Sequence, residues 1–300
     1  MVQLQNFYKI LKAYIGSKIK PDILAFYIPG YTTFVVSDDF GIMFYFEENI
    51  LQHDAITFNI DDLEKVLSKK RNYNINIQKN TLVIELKNEI VKLECKKASA
   101  INIPTFPQRN IVINANKLLN VYDDIAFFNS AEYEKSNIAF TNGYICYRSN
   151  NAELVTTFEG FEEYDFSVPF PALSHAIKVL KLTKDEVVNF GISNDLYISG
   201  NNFLMILPFK KHPVPYILKN KQYIGDVELK YTNQDPEVYA KNGYLFINDI
   251  KIGQYSGRFH KMLPKNKVNN IIKKYGKKYE TYIWHGVLLF KVDNKEILFY

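Results

Sequence analysis

One pattern recurs along this chain and limits what it can fold into. It is a short strand, then an amphipathic helix, then alternating strands. Residues 56–94 carry it as ITFNIDDLEKVLSKKRNYNINIQKNTLVIELKNEIVKLE. Ile56 and Phe58 begin a strand, Asp61 is the expected N-cap, and Leu63, Val66 and Leu67 share one helix face. The runs NINI, LVIEL and VKLE then alternate with the period of two that a half-buried strand requires. The same outline returns from residue 166, as FSVPFPALSHAIKVLKL followed by DEVVNFGI, DLYISG and NFLMILPF. It returns again over 258–300, with Phe259 and Leu263 in a strand, KNKVNNIIKKY as helix, and ETYIW, VLLFKV and EILFY as strands.

The intervening stretches follow a related plan. Residues 4–47 read as helix LQNFYKILKAYI and strands ILAFYI, TTFVVS and IMFYFE. Residues 111–159 read as strand IVI, helix NKLLNVYDDIAFF and strands SNIAF, YICYR and ELVTTF. Only 223–256 has no clear helix. The chain is therefore an α+β protein of six helix-plus-antiparallel-sheet half-domains, the fifth stripped down. Proline-bearing breaks at 101–110 (INIPTFPQRN) and 210–220 (KKHPVPYILKN) divide it into 1–107, 108–218 and 219–300, the last shortened. A propeller or solenoid also repeats at about 50 residues, but one amphipathic helix per unit and the pairing of units favour three domains.

Composition removes several function classes. No apolar run reaches the roughly 18 residues of a membrane span, and the N-terminus reads as an amphipathic helix instead of a signal peptide. Cys95 and Cys146 lack CxxC spacing or a nearby His, which fits a reducing cytoplasm and no metal site. His53, His175, His212, His260 and His285 are scattered, and neither GxxxxGK[ST] nor GxGxxG occurs. Asp38-Asp39 reads as a hairpin turn. No catalytic centre, cofactor or metal is expected. Pro21-Asp22 with Glu85-Leu86-Lys87 offers an alternative, a metal-dependent nuclease. The net charge of +5 permits an anionic partner without requiring one.

Over 109–210 the order of motifs resembles a known family. INANKLLNVYDDIAFFNSAEYEKSNIAF, FSVPFPALSHAIKVLKL and NDLYISGNNFLMILPF resemble the second domain of the bacterial-type DNA sliding clamp, the β subunit of DNA polymerase III. Residues 1–107 fit in outline, and the last 80 fit in their second half. The resemblance implies a DNA clamp fold with three clamp domains, the third reduced, closed as a homodimeric ring. It implies double-stranded DNA inside the ring, a polymerase and a clamp loader as peptide-bearing partners, and no membrane.

In such a ring the helices face the hole, where lysines meet phosphate without reading bases. The helices carry Lys9 and Lys12; Lys65, Lys69, Lys70 and Arg71; Lys117; Lys178, Lys181 and Lys184; and Lys265, Lys267, Lys273, Lys274, Lys277 and Lys278. The competing reading of these cations is a solvated helix face. The resemblance also implies a partner-peptide pocket at Ser149, Asn151, Leu154, Pro169, Leu173, Leu298, Phe299 and Tyr300. Here SNNAEL and EILFY stand where the family has a Thr-Asp-Gly-His-Arg-Leu-like turn and a Met-Pro-Met ending. A clamp-fold accessory of phage or plasmid origin that does not close a ring is the nearest alternative.

Overall fold

The computed structural model describes residues 5–15, 22–48, 52–67, 73–128, 137–148, 152–210 and 220–300. In chain order these form α1 (Gln5–Ile15), β1 (Asp22–Ile28), β2 (Tyr31–Asp38), β3 (Gly41–Glu48), β4 (Ile56–Asn59), α2 (Ile60–Leu67), β5 (Tyr73–Gln78), β6 (Thr81–Leu86), β7 (Glu89–Glu94) and β8 (Lys96–Lys97). Next come β9 (Asn110–Asn114), α3 (Ala115–Phe128), β10 (Asn137–Thr141), β11 (Tyr144–Arg148), β12 (Ala152–Thr157), β13 (Asp165–Pro169), α4 (Phe170–Thr183), β14 (Val187–Ile192), β15 (Leu196–Ser199) and β16 (Phe203–Leu207). The remainder is β17 (Gln222–Glu228), β18 (Glu237–Lys241), β19 (Tyr244–Ile247), β20 (Ile250–Gln254), β21 (His260–Met262), α5 (Lys265–Tyr275), β22 (Lys278–Trp284), β23 (Val287–Val292) and β24 (Lys295–Phe299). The described part of 223–256 holds strands and no helix, as its sequence predicts.

Contacts gather these elements into two compact units, residues 1–119 with 171–209, and 120–170 with 210–300. The first unit is built on a nine-stranded antiparallel sheet in the order β8-β4-β1-β2-β3-β16-β15-β14-β9. Its middle seam joins distant parts of the sequence, with Phe203 opposite Tyr45 and Ile206 opposite Ile42. Gly41 sits beside that seam at φ +144°, where a Cβ would lie 2.3 Å from the Ile206 carbonyl oxygen.

Helix α1 buries Phe7, Ile10, Leu11 and Tyr14, a spacing that puts all four on one side. Phe7 packs on Phe34 of β2 with ring centroids 4.5 Å apart. Val35, the next residue, joins Phe26, Phe44 and Leu204 on the opposite face, covered by Ile103 and Phe106. The INIPTFPQRN stretch is thus a packed crossing, with Phe106 edge-on to Tyr197 at 6.1 Å.

Asn59 caps α2, its Oδ1 accepting the Asp61 N–H at 2.8 Å. The expected cap at Asp61 is therefore displaced by two residues, because Asn fills the same role just before the helix begins. Helix α4 is buried on nearly every side, and from Pro171 onward only Lys178, Lys181 and Leu182 are exposed. His175, inside it, lies with Nδ1 3.4 Å from Oδ2 of Asp38, the hairpin-turn aspartate. A three-stranded sheet, β5-β6-β7, completes the unit.

The second unit is built on an eight-stranded antiparallel sheet, β13-β10-β11-β12-β24-β23-β22-β17. Its seam pairs Ala152 with Phe299 and Glu153 with Leu298. On one face Tyr122 of α3 stacks on Phe170 at 5.4 Å, and Phe170 meets Tyr147 of β11 at 5.9 Å. The Tyr279 hydroxyl, on β22, donates to the carbonyls of Ile271 (2.9 Å) and Gly276 (2.6 Å), which fastens the end of α5. A four-stranded sheet, β20-β19-β18-β21, lies in the same unit. It approaches β17 so closely that a Cβ on Gly253 would sit 1.7 Å from the Ile224 carbonyl oxygen.

Candidate nucleic-acid interface and partner pocket

The predicted cations do not form one uniform set. Lys9 is exposed on α1 opposite the buried Phe7 and Leu11. Lys12, one turn on, is ion-paired to Glu64 of α2, which raises its pKa. Lys65 pairs with Asp62 at 2.7 Å along its own helix. Lys69, Lys70 and Arg71 lie outside the described residues. Lys117 is exposed in the first turn of α3, where its backbone N–H donates to Oδ1 of the capping Asn114 at 3.2 Å.

Lys178 and Lys181 are exposed on α4, and Lys184 follows with φ +56°, its N–H bonded to the Leu180 carbonyl at 3.1 Å. That is a left-handed helix stop made by lysine where glycine is usual. On α5, Lys273, Lys274, Lys277 and Lys278 are exposed around the C-terminal turn, as is Lys265 at its start, while Lys267 is half-buried. Lys274 is tied to Asp124 at 3.2 Å, an aspartate that also meets Lys295 at 3.6 Å. Lys9, Lys178, Lys184, Lys273 and Lys277 make no ion pair among the described residues.

Strand alternation divides the predicted pocket residues between two sheet faces. Val155 of β12 and Leu298 of β24 belong to one apolar face, with Ala139, Cys146, Val287 and Leu289. Tyr144, Tyr282, Trp284 and Tyr300 pack against that cluster from its wetter side. Leu154 and Phe299, each adjacent in sequence to a member of that face, point the other way. The Phe299 ring meets Phe290 at 5.7 Å, in the layer that includes Tyr279. Leu298 and Tyr300 therefore stand on the face opposite Leu154 and Phe299. Pro169 is half-buried at the end of β13, Leu173 is buried in α4, and Ser149 and Asn151 lie outside the described residues.

The polar surroundings of that face are specific. Arg148 lies over the Tyr300 ring at 4.5 Å, and the Tyr300 hydroxyl donates to buried Glu153. Lys221 pairs with Glu296 and sits 5.0 Å from the Tyr282 ring centre. The Tyr282 hydroxyl donates to Glu280 at 2.6 Å, which pushes its own pKa up to about 12 and holds the Glu280 carboxyl low. Burial pushes the Cys146 thiol up, so it acts as a packed apolar side chain and not as a nucleophile. Lys261 of β21 donates to the Phe299 carbonyl at 3.1 Å, and burial lowers its pKa.

Arg148, Tyr144, Tyr282 and Trp284 were not singled out from sequence. The signal lay in parity: stepping by two along YICYR and ETYIW from Cys146 reaches them all. The residues of the nuclease pattern are on separate sheets, Asp22 on β1, bonded to the Asn59 amide at 3.2 Å, and Glu85 on β6. Pro21 lies outside the described residues, which hold no group of three metal-ligating side chains. No described helix is long and apolar enough to cross a membrane.

No protein-family model matches the sequence, and no curated protein does. Solved structures do. The Helicobacter pylori beta clamp bound to a DNA ligase peptide superposes with TM-score 0.71 at 15% identity, covering 99% of this chain and 98% of that one. The DNA polymerase sliding clamp of Bacillus subtilis gives 0.70 at 13% identity, with 99% and 97% covered. The DNA polymerase III subunit beta of Pseudomonas aeruginosa gives 0.69 at 12%, with 99% and 98% covered. Along nearly its whole length, this chain has the fold of the bacterial DNA sliding clamp.

Proposed function

We propose that the protein is a DNA sliding clamp, a processivity factor that encircles duplex DNA and tethers replication proteins through short peptides. The observation that carries this reading is the division of labour between sheet faces. In each unit, helices with exposed lysines cover one face of a long sheet, and the second unit keeps an aromatic cluster on the other face. Lys9, Lys178, Lys184, Lys273 and Lys277 would contact phosphates, and none belongs to an arrangement that reads bases. Arg148, Tyr144, Tyr282, Trp284, Leu298 and Tyr300 would form the partner pocket. Its aromatic rings are the residue type that anchors short peptides. On this reading the protein acts by topology and tethering, without catalysis.

Three clamp domains per chain, 1–107, 108–218 and 219–300, would give six in a homodimer. Closure needs an unpaired strand edge on each side. We assign it to β7, where Ile90 is 64% exposed, and to β21, where Met262 is 52% exposed. The lack of a helix over the described part of 223–256 favours one alternative, an accessory on the same fold that does not close. Light scattering at low micromolar concentration separates the two. A mass near twice 35.0 kDa is expected for the ring. A monomer would favour the open accessory, and three chains would mean that only two domains per chain build the ring.

A further inference from the structure

Four strands run into a helix: β4 into α2, β9 into α3, β13 into α4 and, after two residues, β21 into α5. Strand β17 does not. Residues 229–236, LKYTNQDP, lead from it to β18 without a helix, yet they are fastened along their length. The Leu229 N–H donates to the Lys277 carbonyl at 2.8 Å. The Thr232 N–H donates to Oδ1 of Asn269 at 3.1 Å, and the Asn269 amide donates back to the Thr232 carbonyl at 2.8 Å. Lys265 donates from Nζ to the Asn233 carbonyl at 3.0 Å and from its backbone N–H to Oδ1 of Asp235 at 2.9 Å. Lys265, Asn269 and Lys273 recur every four residues on α5, and Lys277 follows just past its end. The segment therefore runs antiparallel along one stripe of that helix.

Tyr231 stands between the ties to Lys277 and Asn269, alongside the turn that carries Lys273. It is 59% exposed, and Lys230 beside it is exposed too. Residues 228–236 and 264–278 hold seven lysines against two carboxylates, Glu228 and Asp235, and Asp235 is engaged at the start of α5. Lys230, Lys273 and Lys277 make no ion pair among the described residues. An aromatic ring among such cations matches a nucleotide, whose base has a face for the ring and whose phosphates take the ammonium groups. Duplex DNA would supply the phosphates, but each base there is covered on both faces by its neighbours. An unpaired base leaves a face for the ring. Because the segment is already tied to α5, little order has to be gained on binding.

We propose that residues 229–236 and α5 together bind single-stranded DNA, with Tyr231 stacked on an unpaired base and Lys230, Lys273 and Lys277 on the adjoining phosphates. This rests on the function proposed above only for the phosphate role of Lys273 and Lys277, and it requires no closed ring.

The test is fluorescence anisotropy of the full chain at low salt, with a labelled ten-nucleotide oligo(dT) and with a labelled duplex of the same length. Tyr231→Ala should weaken oligo(dT) binding at least about 5-fold and leave duplex binding unchanged. Tyr231→Phe keeps the ring and should bind as the parent does. Lys230→Gln should lower the log–log salt slope for oligo(dT) by about 0.7, the value for one single-strand phosphate contact. All three positions changed are on the surface, so the urea midpoints should stay at the parent value. No binding of oligo(dT), or equal binding by Tyr231→Ala, would overturn the proposal; weaker duplex binding by Lys273→Gln in that case would leave the sliding-clamp reading standing. Equal weakening of oligo(dT) and duplex by Tyr231→Ala, or a loss in Tyr231→Phe, would overturn stacking as the mode of contact.

Discussion

Phe299 and Tyr300 are neighbours in sequence, yet their truncation should have different consequences. Phe299 is 1% exposed, pairs with Ala152 and Leu288 on either side, and packs edge-on to Phe290. Phe299→Ala should cost about 3–5 kcal/mol through lost burial and the cavity left behind. Against a total stability of about 5–15 kcal/mol that is a large fraction. Tyr300 is half-buried on the other face. Tyr300→Ala loses the Arg148 contact, about 0.5–1 kcal/mol, and takes this donor from the buried Glu153 carboxyl, about 1–3 kcal/mol. The fold should survive this. Binding should not, because an aromatic anchor at a peptide site is commonly worth about 2 kcal/mol or more, roughly 30-fold in affinity. Urea unfolding measures the first effect. Fluorescence anisotropy with a labelled peptide of the replicative polymerase measures the second. Normal stability with lost peptide binding in Phe299→Ala would refute the assignment of faces.

Three further outcomes are expected. Replacing Lys178, Lys273 and Lys277 together by Gln should flatten the salt dependence of DNA binding by about 0.9 in log–log slope for each phosphate contact removed; an unchanged slope in a filter-binding series would leave these lysines as a solvated face. Gly253→Ala should markedly lower the thermal midpoint, because the added carbon meets the Ile224 carbonyl oxygen and the β17–β20 approach must open; an unchanged calorimetric midpoint would contradict that close packing. Glu47 has its pKa raised by burial in the folded state, so the fold favours its protonated form and loses that stability as pH rises above the ordinary value of 4.5. Glu47→Gln should therefore raise the urea midpoint at pH 7 and leave it unchanged near pH 4, and a gain equal at both pH values would exclude burial of the ionised carboxylate as its cause.

The repeat was legible because helix and strand periods are local. Phe7, Ile10, Leu11 and Tyr14 announce α1, and Val268, Ile271 and Ile272 announce α5, without knowledge of what they pack on. Order and repetition then pointed to the clamp fold at identities of about 12–15% to solved clamps. Two seams were not legible, since nothing in Ile42–Tyr45 or Ala152–Thr156 names a partner strand over a hundred residues away. The cation set blurred for a related reason. Lys12 and Lys274 look like Lys9 and Lys273 in sequence, and only the fold brings Glu64 and Asp124 to the first pair. The pocket candidates divide by strand alternation, which the sequence does show: Leu298 and Tyr300 stand on one sheet face, Leu154 and Phe299 on the other.

On the proposed reading the protein would hold DNA topologically, by surrounding it. The most direct measurement is its dissociation rate from a linear duplex after both ends have been blocked by bound streptavidin, compared with the same duplex cut open by a restriction enzyme. A ring is retained while the ends are blocked and slides off within the time of the cut. A dissociation rate that is the same with blocked and open ends would contradict encirclement and leave only surface attachment.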